Sequence, residues 1–221
     1  MIKALIFDFD GLILDTETPE FTVWQNIYRE HGHELPAEKW AAIVGGTGLS
    51  DFDAAEHLSL LIEGRLDSAS LRDRNRLESV ALIESLEPLP GVLDYLKEAK
   101  RLGLNLAIAS SSPRSWVEPH ARRIGGLHFF DQGITREEVG VGRTKPNPDL
   151  FLKALERLGI PKEAAIVFED SPNGVRAARR AGIFVVAVPN ELTATLSLDE
   201  ANLRMASLSD MPLSILLDKV K

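Results

Sequence analysis

Residues 2–17 read IKALIFDFDGLILDTE, and the rest of the chain is read outward from them. Ala4, Leu5, Ile6 and Phe7 form a continuous apolar run, as expected of a strand buried on both faces in a parallel sheet. The run meets Asp8, Phe9, Asp10 and Gly11. Side chains alternate along a strand, so Asp8 and Asp10 are expected to point the same way. Gly11 allows a sharp turn where the strand ends. Two carboxylates are then expected at the C-terminal end of a buried strand, where open α/β sheets bind ligands.

Beyond this stretch, residues 18–84 carry helix signals and no strand signal. Thr18-Pro19-Glu20 reads as a helix start, and Phe21, Trp24, Ile27 and Tyr28 recur at helical spacing up to Gly32. A second helix is expected over 37–44, and a third, capped by Ser50 or Asp51, to about Glu63. A fourth runs over about 69–86, opened by Asp67 or Ser68. From Pro90-Gly91 the chain alternates. Apolar strands are expected at 104–109, 129–134, 164–168 and 183–188, with a short edge strand at 203–206. Helices lie between them, and a last one covers 212–220. This order predicts a doubly wound α/β fold, a parallel sheet with right-handed crossovers. The core is expected over 1–15 and 87–221, with an all-helical cap at 16–86.

Composition narrows the function classes. The 221 residues carry 25 basic and 33 acidic groups, a net charge of -8, which makes a poor electrostatic partner for nucleic acid. With no cysteine, disulfides, thiolate metal sites and cysteine nucleophiles are excluded. No apolar run approaches the ~18 residues of a membrane span. MIKALIFDFDG has too short an apolar run for a signal peptide, so a cytoplasmic protein is expected. Nothing in the sequence calls for an oligomer, and a monomer is expected.

Polar residues cluster at the ends of three predicted strands: Asp8 and Asp10, Ser110 and Ser111, Glu169 and Asp170. Lys145 lies in a fourth loop, just ahead of a helix. In a parallel sheet these ends share one edge. The groups suit phosphoryl transfer. Asp8 is the candidate carboxylate nucleophile, giving an aspartyl-phosphate. A carboxylate repels phosphate, so a hard cation is needed, and Mg2+ is the usual partner of phosphate with one or two carboxylates. Asp8 and Asp170 are the expected metal ligands, with Glu169 in support and the backbone carbonyl of Asp10 completing the set. Ser110, a backbone N–H near Ser111 and the Lys145 ammonium are expected to hold the phosphoryl oxygens. Asp10 is left for proton transfer to the leaving oxygen and from the attacking water.

These pieces resemble the haloacid dehalogenase superfamily in its phosphatase and phosphomutase branch. The matching motifs are DFDG at 8–11, Ser110 after LAIA, Lys145 in KPNPDLF, and EDSPNG at 169–174 after IVF, in the family's order. The resemblance covers 1–188 and implies the roles just assigned. It also implies a helical cap that closes over the site and chooses the substrate, here a small phosphorylated metabolite. An acid at Asp10 implies a phosphatase or mutase rather than a dehalogenase, because a halide leaves without a proton. Within the branch the β-phosphoglucomutase-like group is the most similar. Glu20 stands where the mutases carry a cap histidine, and the loop VGGTGLSDFD lacks their basic residue, so a phosphatase is favoured over a sugar-phosphate mutase. A signalling receiver domain uses a similar set, but its acidic pair precedes the acceptor and it has no counterpart of Asp10 or the cap. Within the cap, the 45–49 loop and Arg72 are candidate substrate contacts, with Glu20 a partner for Arg72 when no ligand is bound. Arg76 shares the helix face of Arg72, and Arg74 is expected to point to solvent.

Overall fold

The computed structural model describes residues 1–45, 51–140 and 142–220. Its centre is a six-stranded parallel sheet in the order β3-β2-β1-β4-β5-β6. The strands are β1 (Ala4–Phe7), β2 (Asn105–Ala109), β3 (Gln132–Ile134), β4 (Ala165–Glu169), β5 (Phe184–Ala187) and β6 (Leu203–Arg204). This is the doubly wound α/β order expected from the sequence. β1 is fully buried between β2 and β4, which explains its unbroken apolar run.

Alternation along each strand feeds two cores. Leu5, Phe7, Leu106, Ile108, Ile166 and Phe168 face one layer, with α5 (Val92–Arg101), α6 (Arg114–Arg123) and α10 (Leu213–Lys219). Ala4, Ile6, Ala107, Ala165 and Val167 face the other, with α8 (Asp149–Leu158) and α9 (Pro172–Ala181). Small residues on this second face let α8 and α9 approach closely. Burying each large aliphatic or aromatic side chain contributes about 1.5–3 kcal/mol, so both layers are strongly held.

Between β1 and α5 lie α1 (Glu17–Glu30), α2 (Ala37–Ala41), α3 (Ala54–Leu61) and α4 (Ser68–Ile83). They share an apolar cluster of their own around Trp24, Ile27, Tyr28, Trp40, Leu58 and Leu71. The Tyr28 hydroxyl donates to the Ala54 carbonyl at 2.8 Å and ties α1 to α3. Several boundaries differ from the sequence reading. α1 begins at Glu17 with Thr16 at its N-cap, two residues earlier than a cap at Thr18 and a start at Pro19, and Pro19 lies inside the first turn, where its missing N–H costs no helical bond. α3 is capped by Asp53, whose side chain accepts from the Glu56 N–H at 2.9 Å, and not by Ser50 or Asp51. Ser50 lies outside the described residues. α2 ends at Ala41, short of Val44, and α4 ends at Ile83, short of Leu86. Arg74 is not simply solvated. It pairs with Glu30 and Glu78 at 2.6 and 2.7 Å, linking α4 to α1 at the surface.

Candidate active site

The site forms where the sheet order reverses, between β1 and β4. Phe7 is in register with Phe168 on one side and Ile108 on the other, and β2 and β4 each run one residue further, so the three strands end within a residue of one another. Asp8 follows β1, Ser110 follows β2, and Asp170 follows β4. The predicted convergence of strand ends is therefore present, and its cause is register.

Asp8, Glu169 and Asp170 are buried, with one oxygen of each within 4.8 Å of the others. Lys145, also fully buried, reaches in from the loop before α8. Its ammonium lies 2.5 Å from Asp8 Oδ1 and 2.6 Å from Glu169 Oε1. Burial alone would lower the lysine's affinity for its proton. Asp8 and Glu169 more than offset that, and its pKa is raised. Asp8 and Asp170 are pushed well above the usual carboxylate range, first by loss of hydration, then by Glu169 beside them. One ammonium thus faces three buried carboxylates, and the cluster is short of positive charge. Asp170 Oδ1 is buried with no hydrogen-bond partner among the described residues, and Oδ2 accepts from Asn190 Nδ2 at 3.0 Å. An all-oxygen, electron-rich set of this kind fits a hard divalent cation.

Glu169 is more than a neighbour of Asp170. Its Oε2 accepts from the N–H groups of Asp170 and Ser171 at 3.0 and 3.2 Å, which fixes the loop after β4. Its carboxylate lies over the first turn of α9, where a Cβ on Gly174 would come within 1.8 Å of it. Gly174→Ala should therefore cost ~1–3 kcal/mol through overpacking, read as a lowered melting temperature. Gly11 is required twice over. Its φ is +79°, and a Cβ there would lie 2.4 Å from Asp170 Oδ2.

Asp10 differs from the expectation in how it arrives. β1 ends at Phe7, so strand alternation does not set its direction. A tight turn over 9–14 does, closed by Gly11 N–H to Leu14 O at 2.8 Å and Ile13 N–H to Phe9 O at 2.9 Å. Asp8 and Asp10 still line one cavity of about 260 Å3, together with Ser111, Gly45 and Arg136. The Asp10 carboxylate has its own donors. Oδ1 accepts from Thr16 Oγ1 at 2.9 Å and Trp116 Nε1 at 2.8 Å. Oδ2 accepts from Ser110 Oγ at 3.1 Å and Ser112 Oγ at 2.7 Å. The Ser110 hydroxyl is thus directed at Asp10 and also accepts from the Ser112 N–H at 3.0 Å. Ser111 Oγ is the buried hydroxyl here with no partner among the described residues.

A second cavity, about 440 Å3, opens from Asp10 toward the helical segment. Glu17 and Glu20, on the first turn of α1, line both cavities. Loss of hydration and neighbouring carboxylates push both upward, Glu20 to about 7. Trp24 and Trp116 supply aromatic wall, and Arg72 and Arg76 share a side of it as their spacing required. The expected Arg72–Glu20 pair does not form. The Arg72 guanidinium pairs instead with Asp53 at 2.8 Å and Glu56 at 3.0 Å, carboxylates before and on α3, which packs against α4. Of the 45–49 loop, Gly45 packs against Ser171, and Asn173 Nδ2 donates to the Val44 carbonyl at 2.9 Å. Residues 46–49 lie outside the described residues.

Comparisons with known proteins identify the family. Residues 2–182 match the family model described as haloacid dehalogenase-like hydrolase. The chain is 43% identical to YhcW of Bacillus subtilis over 99% of its own length and 97% of that protein's. It is 32% identical to the phosphorylated carbohydrates phosphatase of Thermotoga maritima, over 82% of each chain. The crystal structure of a mutant Rhodobacter sphaeroides CbbY in complex with xylulose-(1,5)bisphosphate is 27% identical, covers 95% of this chain and 96% of its own, and superposes with a TM-score of 0.72. With a family match over most of its length and a phosphatase among its relatives, this chain belongs to the haloacid dehalogenase-like hydrolases, as a phosphoric monoester hydrolase.

Proposed function

We propose that the protein is a Mg2+-dependent phosphatase that hydrolyses small phosphomonoesters, sugar phosphates or related metabolites, through an aspartyl-phosphate on Asp8. The observation that carries this reading is the buried Asp8–Lys145–Glu169–Asp170 cluster, with Asp10 held beside it on the same cavity. Asp8, Asp170 and the Asp10 backbone carbonyl would hold Mg2+, with Glu169 in support. The ion would screen the repulsion between the nucleophile and the phosphate.

In the first step an Asp8 carboxylate oxygen attacks phosphorus, and the bond from phosphorus to the leaving oxygen breaks. Asp10 gives that oxygen its proton. In the second step Asp10 takes a proton from water as the water oxygen attacks the aspartyl-phosphate. Inorganic phosphate leaves, and the Asp8 carboxylate is restored. Lys145 and the 110–112 loop hold the phosphoryl oxygens, with the buried Ser111 hydroxyl as a donor still free to do so. Arg136, exposed at the start of α7 (Arg136–Val139) and lining the inner cavity, is a further cation for them. The helical segment 16–86 acts as the cap over a core formed by 1–15 and 87–221, and the Thermotoga relative's name supports carbohydrate phosphates as the substrate class.

The test is phosphate release from a panel of sugar phosphates, nucleotides and aryl phosphates, with Mg2+ and with excess chelator. Release should require the divalent ion and fall to background once metal removal is verified. Full activity without metal would overturn the metal site. Asp170→Ala should raise the Mg2+ requirement more than Glu169→Gln, because the Glu169 side chain spends its oxygens on Lys145 and the loop N–H groups.

A further inference from the structure

Asp8, Asp170 and the Asp10 backbone carbonyl would hold the metal, and the last two depend on one side chain that the chemistry itself does not use. Asn190 lies in the loop after β5 and is buried. Its Nδ2 donates to Asp170 Oδ2 at 3.0 Å and to the Gly11 carbonyl at 3.1 Å. Gly11 belongs to the turn that carries Asp10, so one amide ties the loop after β4 to the turn after β1. The amide is itself held. Its Oδ1 accepts from the Thr193 N–H at 2.9 Å and from Thr193 Oγ1 at 3.1 Å, and Thr193 Oγ1 accepts from the Asn190 N–H at 3.0 Å. A side-chain amide offers two N–H donors and one oxygen, and here both donors meet acceptors while the oxygen meets donors. Turned over, it would set its oxygen against the Asp170 carboxylate and the Gly11 carbonyl, so one orientation is fixed. Leu192, in the same turn, packs into the apolar cluster of the helical segment and braces the turn from that side.

We propose that Asn190 is a positioning residue for the metal site: it engages Asp170 Oδ2 so that Oδ1 is left for the cation, and it fixes the Asp10 turn relative to that oxygen. This rests on the metal-dependent phosphatase reading and says what gives its site a set geometry. Asp170 Oδ1 is buried with no hydrogen-bond partner among the described residues, while Oδ2 has Asn190 as its donor there. The terminal torsion of an aspartate is soft, so a carboxylate without that donor can rotate, and binding must then order it. Hydrogen-bond partners of metal-bound groups are typically worth about 10–100-fold in metal affinity. A neutral amide does this work without adding a charge to a cluster that already holds three carboxylates for one ammonium.

The experiment follows melting temperature over a Mg2+ titration of metal-free protein at constant ionic strength. A cation that binds only the folded state stabilises it by an amount set by the ratio of its concentration to Kd, so the Mg2+ needed for a given rise reports Kd whatever the starting stability. Asn190→Ala should need at least ~10-fold more Mg2+ than the wild type for the same rise. Asn190→Ser, whose hydroxyl ends one bond short of the amide, should do likewise, and it is read in place of the alanine variant if that one does not fold. Thr193→Val is the control. It removes a buried hydroxyl from the same turn but keeps the Thr193 N–H on Asn190 Oδ1. Its melting temperature in metal-free buffer should fall, and its Mg2+ requirement should not move. An unchanged Mg2+ requirement in the Asn190 variants, a requirement raised as much by Thr193→Val, or no rise with Mg2+ in the wild type would overturn the proposal. Because this readout needs no substrate, it is separate from the phosphatase reading, which fails if the wild-type protein with Mg2+ releases phosphate from no ester.

Discussion

Asp8→Asn is expected to abolish turnover and acyl-phosphate formation while leaving the fold in place. An amide is a poor nucleophile toward phosphorus, and loss of a nucleophile that acts together with its partners removes most of the rate enhancement. The expected fall is at least ~10⁴-fold in kcat. Stability should not follow activity. Asp8 is buried, its carboxyl is pushed up by loss of hydration and by Glu169, and Lys145 keeps Glu169 at 2.6 Å when Asp8 is neutralised. The substitution takes one negative charge from a cluster that has three carboxylates for one ammonium. In metal-free buffer the variant should therefore melt no lower than the wild type. The ranking should change when Mg2+ is added. A ligand that binds only the folded state stabilises it by about 2.7 kcal/mol at a hundred times its Kd. The wild type, with Asp8 intact as a ligand, should gain more than the variant. Initial rates, acid-quench labelling with radioactive phosphate and thermal melts in both buffers measure the three effects. Appreciable turnover in a preparation shown by mass spectrometry to be free of amide hydrolysis would rule out the covalent route.

What the sequence made legible, and what it did not, follows one physical division. Asp8, Glu169 and Asp170 were readable because each lies directly after an apolar run, and parallel strands in register bring such ends to one level. The same rule, carried to every strand, reaches residues that the motif reading passed over. Asn190 follows β5 in VVAVPN, and its amide donates to Asp170 Oδ2 at 3.0 Å and to the Gly11 carbonyl at 3.1 Å. Arg136 follows β3 in ITRE and lines the inner cavity. Ser112, in the loop after β2, falls under the same rule. Trp116 and Thr16 carry no such signal, because they reach Asp10 from α6 and from the start of α1, a tertiary fact without a local pattern. Arg72 fails for a related reason. Helical spacing gave its side of α4 correctly but could not weigh Asp53 and Glu56 against Glu20 as partners, since that choice depends on how α3 packs against α4.

Asp10→Asn should lower turnover by ~10²–10⁴-fold, the range for loss of a general acid–base group. The site allows this substitution to be read as a loss of proton chemistry alone. The Asp10 carboxylate has a fixed donor on one side, because Trp116 Nε1 can only donate, and Oδ1 must remain an acceptor. On the other side are the hydroxyls of Ser110 and Ser112, which can rotate to accept. An asparagine therefore fits with its oxygen toward Trp116 and Thr16 and its amide nitrogen toward the two serine oxygens, as a protonated Asp10 would present its O–H. The backbone carbonyl proposed for the metal is untouched, so Mg2+ affinity should be nearly unchanged. What is lost is the group that protonates the leaving oxygen. In single-turnover phosphorylation of Asp8 the deficit should be large for sugar phosphates, whose alkoxide leaves poorly, and small for aryl phosphates, whose phenoxide needs little help. Hydrolysis of the aspartyl-phosphate needs a base whatever the first leaving group was, so that second step should be slowed equally for both. Rapid-quench measurement of the two steps separates these cases. An equal deficit on sugar and aryl phosphates in the first step would remove Asp10 as the acid.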